Sequence, residues 1–141
     1  VTPQYRSLEV YTDGASRNNP GEAAIGVVIK DDRGNTLKTL SRYLGIATNN
    51  VAEYRALLAA LDLLSDLPAD EIRIHLDSQL VVRQVLGVYR VKQPHLLPLV
   101  EEVRVKMSRF PNLALFHIPR EKNAEADALA NEAIDKRAKK R

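Results

Sequence analysis

The sequence predicts an α/β fold: a mixed sheet of about five strands, an antiparallel meander plus parallel strands, flanked by helices. Three observations point there. Alternating apolar segments stand in series near the N-terminus, helical and extended patterns interleave after them, and no internal repeat or linker divides the chain. Its 141 residues suit one domain with a substantial core.

Leu8-Glu9-Val10-Tyr11-Thr12 alternates as a strand does and runs into Asp13-Gly14-Ala15. Arg17-Asn18-Asn19-Pro20-Gly21 marks a loop. Ala23 to Lys30 is apolar and β-branched, with Ile25, Val27 and Ile29 at alternate positions. Asp31-Asp32-Arg33-Gly34-Asn35 is a turn, and Thr36 to Leu44 resumes the extended pattern, completing a three-stranded meander.

Thr48-Asn49-Asn50 offers helix-capping side chains before a helical pattern from Val51 to about Leu64, which Pro68 ends. Ile72, Ile74 and Leu76 alternate with Arg73, His75 and Asp77, a strand with one apolar face. Ser78 to about Leu86 reads as helix, stopped by Gly87. Gln93-Pro94-His95 opens a further helix, roughly Leu97 to Arg109. After a turn at Phe110-Pro111-Asn112 comes a last strand, Leu113 to Pro119, and a closing helix from Ala124 to about Lys136. The order β-β-β-α-β-α-α-β-α joins a meander to crossovers, and a crossover makes its flanking strands parallel. Residues 1–135 are expected to form the domain and 136–141 a basic, frayed tail.

Composition narrows the function. The chain is 45% hydrophobic and 28% charged, as ordinary globular proteins are, and it has no cysteine, which excludes thiolate metal sites. No apolar run approaches membrane-spanning length and the first residues lack a signal-like progression, so a soluble, cytoplasmic protein with no membrane partner is expected. The net charge of +3 belongs to the end of the chain: residues 136–141 hold five of the 21 basic residues, and without them 16 bases face 18 acids. A uniformly basic nucleic-acid surface is therefore not indicated. No GxxxxGK[ST] loop is present, nor a serine–histidine or cysteine nucleophile arrangement.

Four acids stand out. Asp13 and Asp77 each follow a strand, and if those strands are parallel neighbours both carboxylates emerge at one end of the sheet. Glu53 precedes Ala56, Leu57, Ala60, Leu61 and Leu64 at offsets that place it on the sheet-facing stripe of its helix. Asp127 shares a face with Ala130 and Ile134. Singly, each has a plain explanation: Glu53 and Asp127 complement helix dipoles, Asp77 caps the Ser78 helix, and Asp13 forms a turn. Together they would repel one another and raise their own pKa values unless cations bind among them. A hard oxygen donor set favours Mg2+ or Mn2+ over zinc, and it suits two-metal phosphoryl transfer with ions about 3.5–4 Å apart.

Four stretches in series, Tyr11-Thr12-Asp13-Gly14-Ala15-Ser16 with Asn19-Pro20-Gly21, Thr48-Asn49-Asn50-Val51-Ala52-Glu53, Asp77-Ser78-Gln79-Leu80-Val81, and Asn123-Ala124-Glu125-Ala126-Asp127-Ala128-Leu129-Ala130, cover essentially the whole chain. In these the chain resembles type 1 ribonuclease H. The resemblance implies a ribonuclease H-like fold and metal-dependent endonucleolytic cleavage of the RNA strand of an RNA/DNA hybrid, leaving 3′-hydroxyl and 5′-phosphate ends. It implies two Mg2+ ions, with Mn2+ a substitute, held by Asp13, Glu53, Asp77 and Asp127. Asp13 would bridge both ions, and Glu53 would also help hold the attacking water. Asn18, Asn49, Asn50 and Gln79 would contact the hybrid's minor groove and 2′-hydroxyls, with Gly14 close to the backbone. Double-stranded RNA is a possible secondary substrate, and a monomer is expected. A hybrid- or double-stranded-RNA-binding module without turnover, or a transposase-like nuclease of the same fold, are the alternatives.

Two departures matter. Many members carry a basic helical protrusion, whereas Gly87 to Arg109 has only Arg90, Lys92, Arg104, Lys106 and Arg109 among acids and prolines, so a short handle is expected. Many also carry a histidine in the loop before the last acid. Here His117 falls within a predicted strand and is expected to pack, leaving Arg120 as the auxiliary catalytic group, or as a surface partner of Glu121 or Glu125. His75 and His95 are expected to be structural.

Overall fold

The computed structural model describes residues 4–139 and contains five strands and four α-helices. They are β1 (Tyr5–Ser16), β2 (Gly21–Asp31), β3 (Thr36–Ala47), α1 (Asn49–Leu64), β4 (Ala69–Leu76), α2 (Gln79–Val85), α3 (Leu97–Met107), β5 (Leu113–His117) and α4 (Ala124–Lys139). Short 3₁₀ turns at Pro94–Leu96 and Arg120–Lys122 precede α3 and α4. The sheet order is β3-β2-β1-β4-β5, with the meander antiparallel and β1-β4 and β4-β5 parallel. Element order and mixed topology agree with the sequence expectation.

The alternation along β2 decides which helices cover which face. Ile25, Val27 and Ile29 join Leu8, Val10, Ile74 and Leu76 in the larger core, against Leu57, Leu61 and Leu64 of α1 and Val100 and Val103 of α3. Each of these leucines, fully withdrawn from water, contributes about 2 kcal/mol. Tyr54 is buried in the same core, where its hydroxyl donates to Gln84 Oε1 at 2.7 Å, so the polar tip is satisfied. The intervening residues of β2 face the other way: Ala24 packs with Ala133 and Ile134 of α4.

Two glycines set how closely the helices dock. A Cβ on Gly14 would lie 2.3 Å from the Ala52 carbonyl carbon of α1, and one on Gly26 would lie 2.0 Å from the Ala126 oxygen of α4. Gly14 was expected to serve a turn or a close approach to nucleic acid. It is a strand residue rather than a turn residue, and its missing side chain admits a helix backbone.

Several boundaries differ from expectation. β1 runs through Asp13 to Ser16 because β2 continues to pair with it there. The helix α1 begins two residues early, at Asn49, since Thr48 caps it by accepting from Val51 N–H at 3.2 Å. The last helix runs through Lys139, with Lys136 paired to Glu132 and Arg137 over the Tyr43 ring. The first four residues of the expected frayed tail are thus helical, and Lys140 and Arg141 lie outside the described residues. Between α2 and α3 the described residues form no helix other than the 3₁₀ turn, which gives the short handle expected.

His75 packs as expected, with its ring stacked between Tyr11 (4.9 Å) and Phe116 (5.6 Å) and one ring nitrogen 2.9 Å from Glu9. His95 is exposed on the 3₁₀ turn rather than packed. His117 is also exposed: it ends β5, and β5 lies at the edge of the sheet.

Candidate active site

Parallel pairing of β1 and β4 ends at Thr12 opposite Leu76. The next residues are Asp13 and Asp77, so both carboxylates leave the sheet at one end, as open α/β sheets place their ligand sites. Asp13 also sits between the two docking glycines: Gly14 follows it in sequence and Gly26 lies opposite it in the β1-β2 register. The close approach of α1 brings Glu53 to Asp13 from one side. The close approach of α4 brings Asp127 from the other.

Ligand oxygens of Asp13, Glu53 and Asp77 all lie within 4.8 Å of one another. Asp127, on the first turn of α4 and half-buried, lines the same cleft and reaches the Asp13 carboxyl, but stands outside that triad. The cleft encloses about 450 Å3, and Asn49, Asn50, Arg17 and Arg120 form part of its wall.

Each acid is held differently. Gly14 N–H donates to Glu53 Oε1 at 2.8 Å, so the residue that admits α1 also fixes its carboxylate. Because α1 begins at Asn49, Glu53 sits in the second turn and complementing the helix dipole does not explain it. Asp77 is not the cap of α2; Ser78 is, accepting from Val81 N–H at 3.2 Å. That leaves the Asp77 carboxylate to the cleft, where Asn123 Nδ2 donates to Oδ2 at 3.0 Å while also donating to the Thr12 carbonyl at 2.8 Å. Asp127 accepts at 3.2 Å from Asn131, one turn further along α4.

Burial, then the charges of Glu53 and Asp77, push the Asp13 carboxyl far above the usual carboxylate range. Burial also pushes Glu53 up, to about 7, against the lowering effects of the Gly14 N–H, Asp13 and the more distant Arg120. Two buried acids that resist ionising, with a third carboxylate beside them, make a poor structural cluster and a good cation site. Glu53 Oε2 makes the same point, being buried with no protein partner although its sister oxygen is satisfied. The donor set is hard oxygen throughout and matches a divalent metal ion.

The other expected site residues divide. Asn50 is half-buried in the cleft wall. Asn49 was read as a helix starter or a substrate contact; its Oδ1 accepts from Ser16 N–H at 2.9 Å, tying α1 to the end of β1. Asn18 and Gln79 are exposed and lie outside the cleft wall. Asn19, which the sequence reading passed over, accepts from Asn49 N–H at 2.9 Å and so braces the loop. Arg120 lines the cleft close enough to act on Glu53, while Glu125 pairs instead with Lys30. Arg17, Asn123 and Asn131 were also missed, since their contacts join residues 46 to 114 positions apart or become visible only once Asp127 is placed.

Residues 11–133 match the family described as reverse transcriptase-like. The chain is 42% identical over 128 residues to ribonuclease HI of Halobacterium salinarum, covering 91% of this chain and 64% of that protein. It is likewise 42% identical to the bifunctional protein Rv2228c of Mycobacterium tuberculosis, of which it spans 35%. The chain thus spans less than two thirds of the length of these curated relatives. Among solved structures, RNase H1 of Halobacterium salinarum superposes with a TM-score of 0.88 at 42% identity, covering 92% of this chain and 98% of that one. LC11-RNase H1, solved in complex with an RNA/DNA hybrid, gives 0.86 at 53% identity, covering 93% and 99%.

Proposed function

Since the chain belongs to the type 1 ribonuclease H family, we propose that it is an endoribonuclease that hydrolyses the RNA strand of RNA/DNA hybrids, leaving 5′-phosphate and 3′-hydroxyl ends. The observation that carries this reading is the triad of Asp13, Glu53 and Asp77, buried or half-buried at the sheet end with an orphaned Glu53 oxygen. LC11-RNase H1, similar over nearly its whole length, was solved with the hybrid itself, which supports the choice of substrate.

Two Mg2+ ions, with Mn2+ as a substitute, supply Lewis acidity for in-line hydrolysis when bound at such a site. Asp13, Glu53, Asp77 and Asp127 would hold the ions, with Asp13 central because Glu53 and Asp127 approach it from opposite helices. Glu53 presents its free Oε2 with the other oxygen locked by Gly14. Asp77, restrained by Asn123, completes the centre, and Asp127 serves its rim. Arg120 places a cation in the cleft wall where charge builds on the phosphodiester. Asn49 and Asn50 read the minor groove and 2′-hydroxyls, while Asn18 and Gln79, being exposed, are outer contacts. Gly14 acts through α1 and Glu53 more directly than through the nucleic acid. Double-stranded RNA is a secondary substrate, and the protein acts as a cytoplasmic monomer.

Matched, end-labelled RNA/DNA, RNA/RNA and DNA/DNA duplexes with Mg2+ or Mn2+ test the reading. Cleavage of the hybrid RNA strand is expected, with Asp77→Asn binding the hybrid but leaving it whole. An intact hybrid under conditions where a known ribonuclease H cuts it would sink the proposal.

A further inference from the structure

Three of the acids are held from within the fold: Asp13 by its strand, Glu53 by a peptide N–H, Asp77 by the buried Asn123. Asp127 is half-buried on the first turn of a helix and has no such backbone anchor for its carboxylate. Besides the Asp13 carboxyl, its partner is Asn131, whose Nδ2 donates both to Asp127 Oδ1 at 3.2 Å and to the Asp127 carbonyl at 3.0 Å.

An amide can turn over and offer its oxygen instead, which would face two acceptors and be repelled. Arg17 prevents this: its guanidinium donates to Asn131 Oδ1 at 3.3 Å and to the Asn131 carbonyl at 3.4 Å, so the NH2 group must face Asp127. Asp135, paired with Arg17 at 2.7 Å, fixes the guanidinium in turn. Arg17 belongs to the loop between β1 and β2, the loop that Asn19 also ties to α1. The loop is therefore fastened to both acid-bearing helices across the mouth of the cleft.

We infer that Asn131, oriented by Arg17, is a positioning residue for Asp127 and sets how the rim acid engages a divalent ion. This rests on the cleft being a metal-dependent nuclease centre. The support is geometric: a donor aimed at the acid, a cation that fixes the donor's orientation, and both in the wall of one cleft. Groups that orient metal ligands commonly change metal affinity or activity by about 10–100-fold when removed.

The test is Mn2+ binding by calorimetry without nucleic acid, alongside kcat and KM for hybrid cleavage, on the intact chain. Asn131→Ala, a substitution a helix tolerates, is expected to weaken Mn2+ binding roughly tenfold and to lower kcat with KM little changed. Arg17→Ala should do the same more mildly, and Arg17→Lys should recover only part, since an ammonium lacks the guanidinium fork. In an Asp127→Asn background, Asn131→Ala should change nothing further, because its effect runs through Asp127. Equal effects of Asn131→Ala in both backgrounds, or wild-type Mn2+ affinity and kcat in the single variant, would overturn the inference while leaving the nuclease reading standing. Wild-type protein that neither binds Mn2+ nor cuts hybrid would overturn both.

Discussion

Glu53 and Asp127 both ride helices that dock on the sheet with no side chain between, yet one ends inside the acidic triad and the other at its rim. The difference lies in what the docking peptide does next. Gly14 meets α1 at Ala52 and Glu53 and then donates its own N–H to Glu53, so helix position and carboxylate position are a single constraint. Gly26 meets α4 at Ala126 and Ala130, which places the helix but leaves the Asp127 carboxylate to side chains. A buried backbone bond has few alternatives, whereas a partly exposed amide and guanidinium have many. The centre of this site is accordingly fixed by the fold, and its rim by groups that substitution can retune.

The sharpest break of that comparison is at the acids themselves. Asp13→Asn should lower the rate of hybrid cleavage by about a thousandfold or more, the loss of roughly 4 kcal/mol of charge stabilisation. Asp127→Asn should be roughly one to two orders of magnitude less damaging. Single-turnover assays at saturating Mg2+ decide it, and equal losses would erase the distinction between centre and rim.

Next come the glycines. Gly14→Ala and Gly26→Ala should each destabilise the fold by roughly 3 kcal/mol, because a methyl group would overlap backbone atoms that cannot swing away. Urea denaturation measures that. Activity per folded molecule should fall much further for Gly14→Ala, which displaces Glu53, than for Gly26→Ala.

The third test uses pH. Folding raises Asp13 and Glu53, the latter from 4.5 to about 7. The folded state therefore holds protons more tightly than the unfolded chain. Their contribution to stability is fully present below the ordinary carboxylate range; that of Glu53 is lost as pH rises through about 7, and that of Asp13 continues to be lost at higher pH. In EDTA, Tm should be higher near pH 5 than near pH 8, and Glu53→Gln should flatten that slope. Divalent ions should restore Tm at pH 8. A metal-free Tm that does not fall between these pH values would mean the triad is not strained.

The smallest effect is expected at Ser78→Ala, which removes the α2 cap and should cost about 1 kcal/mol in a thermal melt. A negligible change would return Asp77 to consideration as a cap, and with it the plain explanation for that acid.

Much of this was legible in the chain. Strict alternation in Ile72, Ile74 and Leu76 declared β4 and its buried face, and the offsets from Glu53 to Leu64 declared which way that acid points. Local pattern misled where a distant contact intervened. Thr48 capped α1 earlier than expected, β2 pairing carried β1 past Asp13, and contact between α4 and β3 accompanied a helix longer than the basic composition suggested. His117 illustrates the same limit, since a strand residue packs only if something covers its side of the sheet.

The sequence by itself determined the element order and the sheet's mixed character, and singled out four acids as candidates, because periodicity and local motif survive in one dimension. The tertiary structure alone decided that three acids form a triad while the fourth stands beside it. It alone revealed that Gly14 admits a helix, and that Asn123 and Asn131 hold Asp77 and Asp127. Those facts depend on which backbone approaches which within a few ångströms. Distances of that kind arise from packing two helices on opposite faces of one sheet, and no local pattern encodes them.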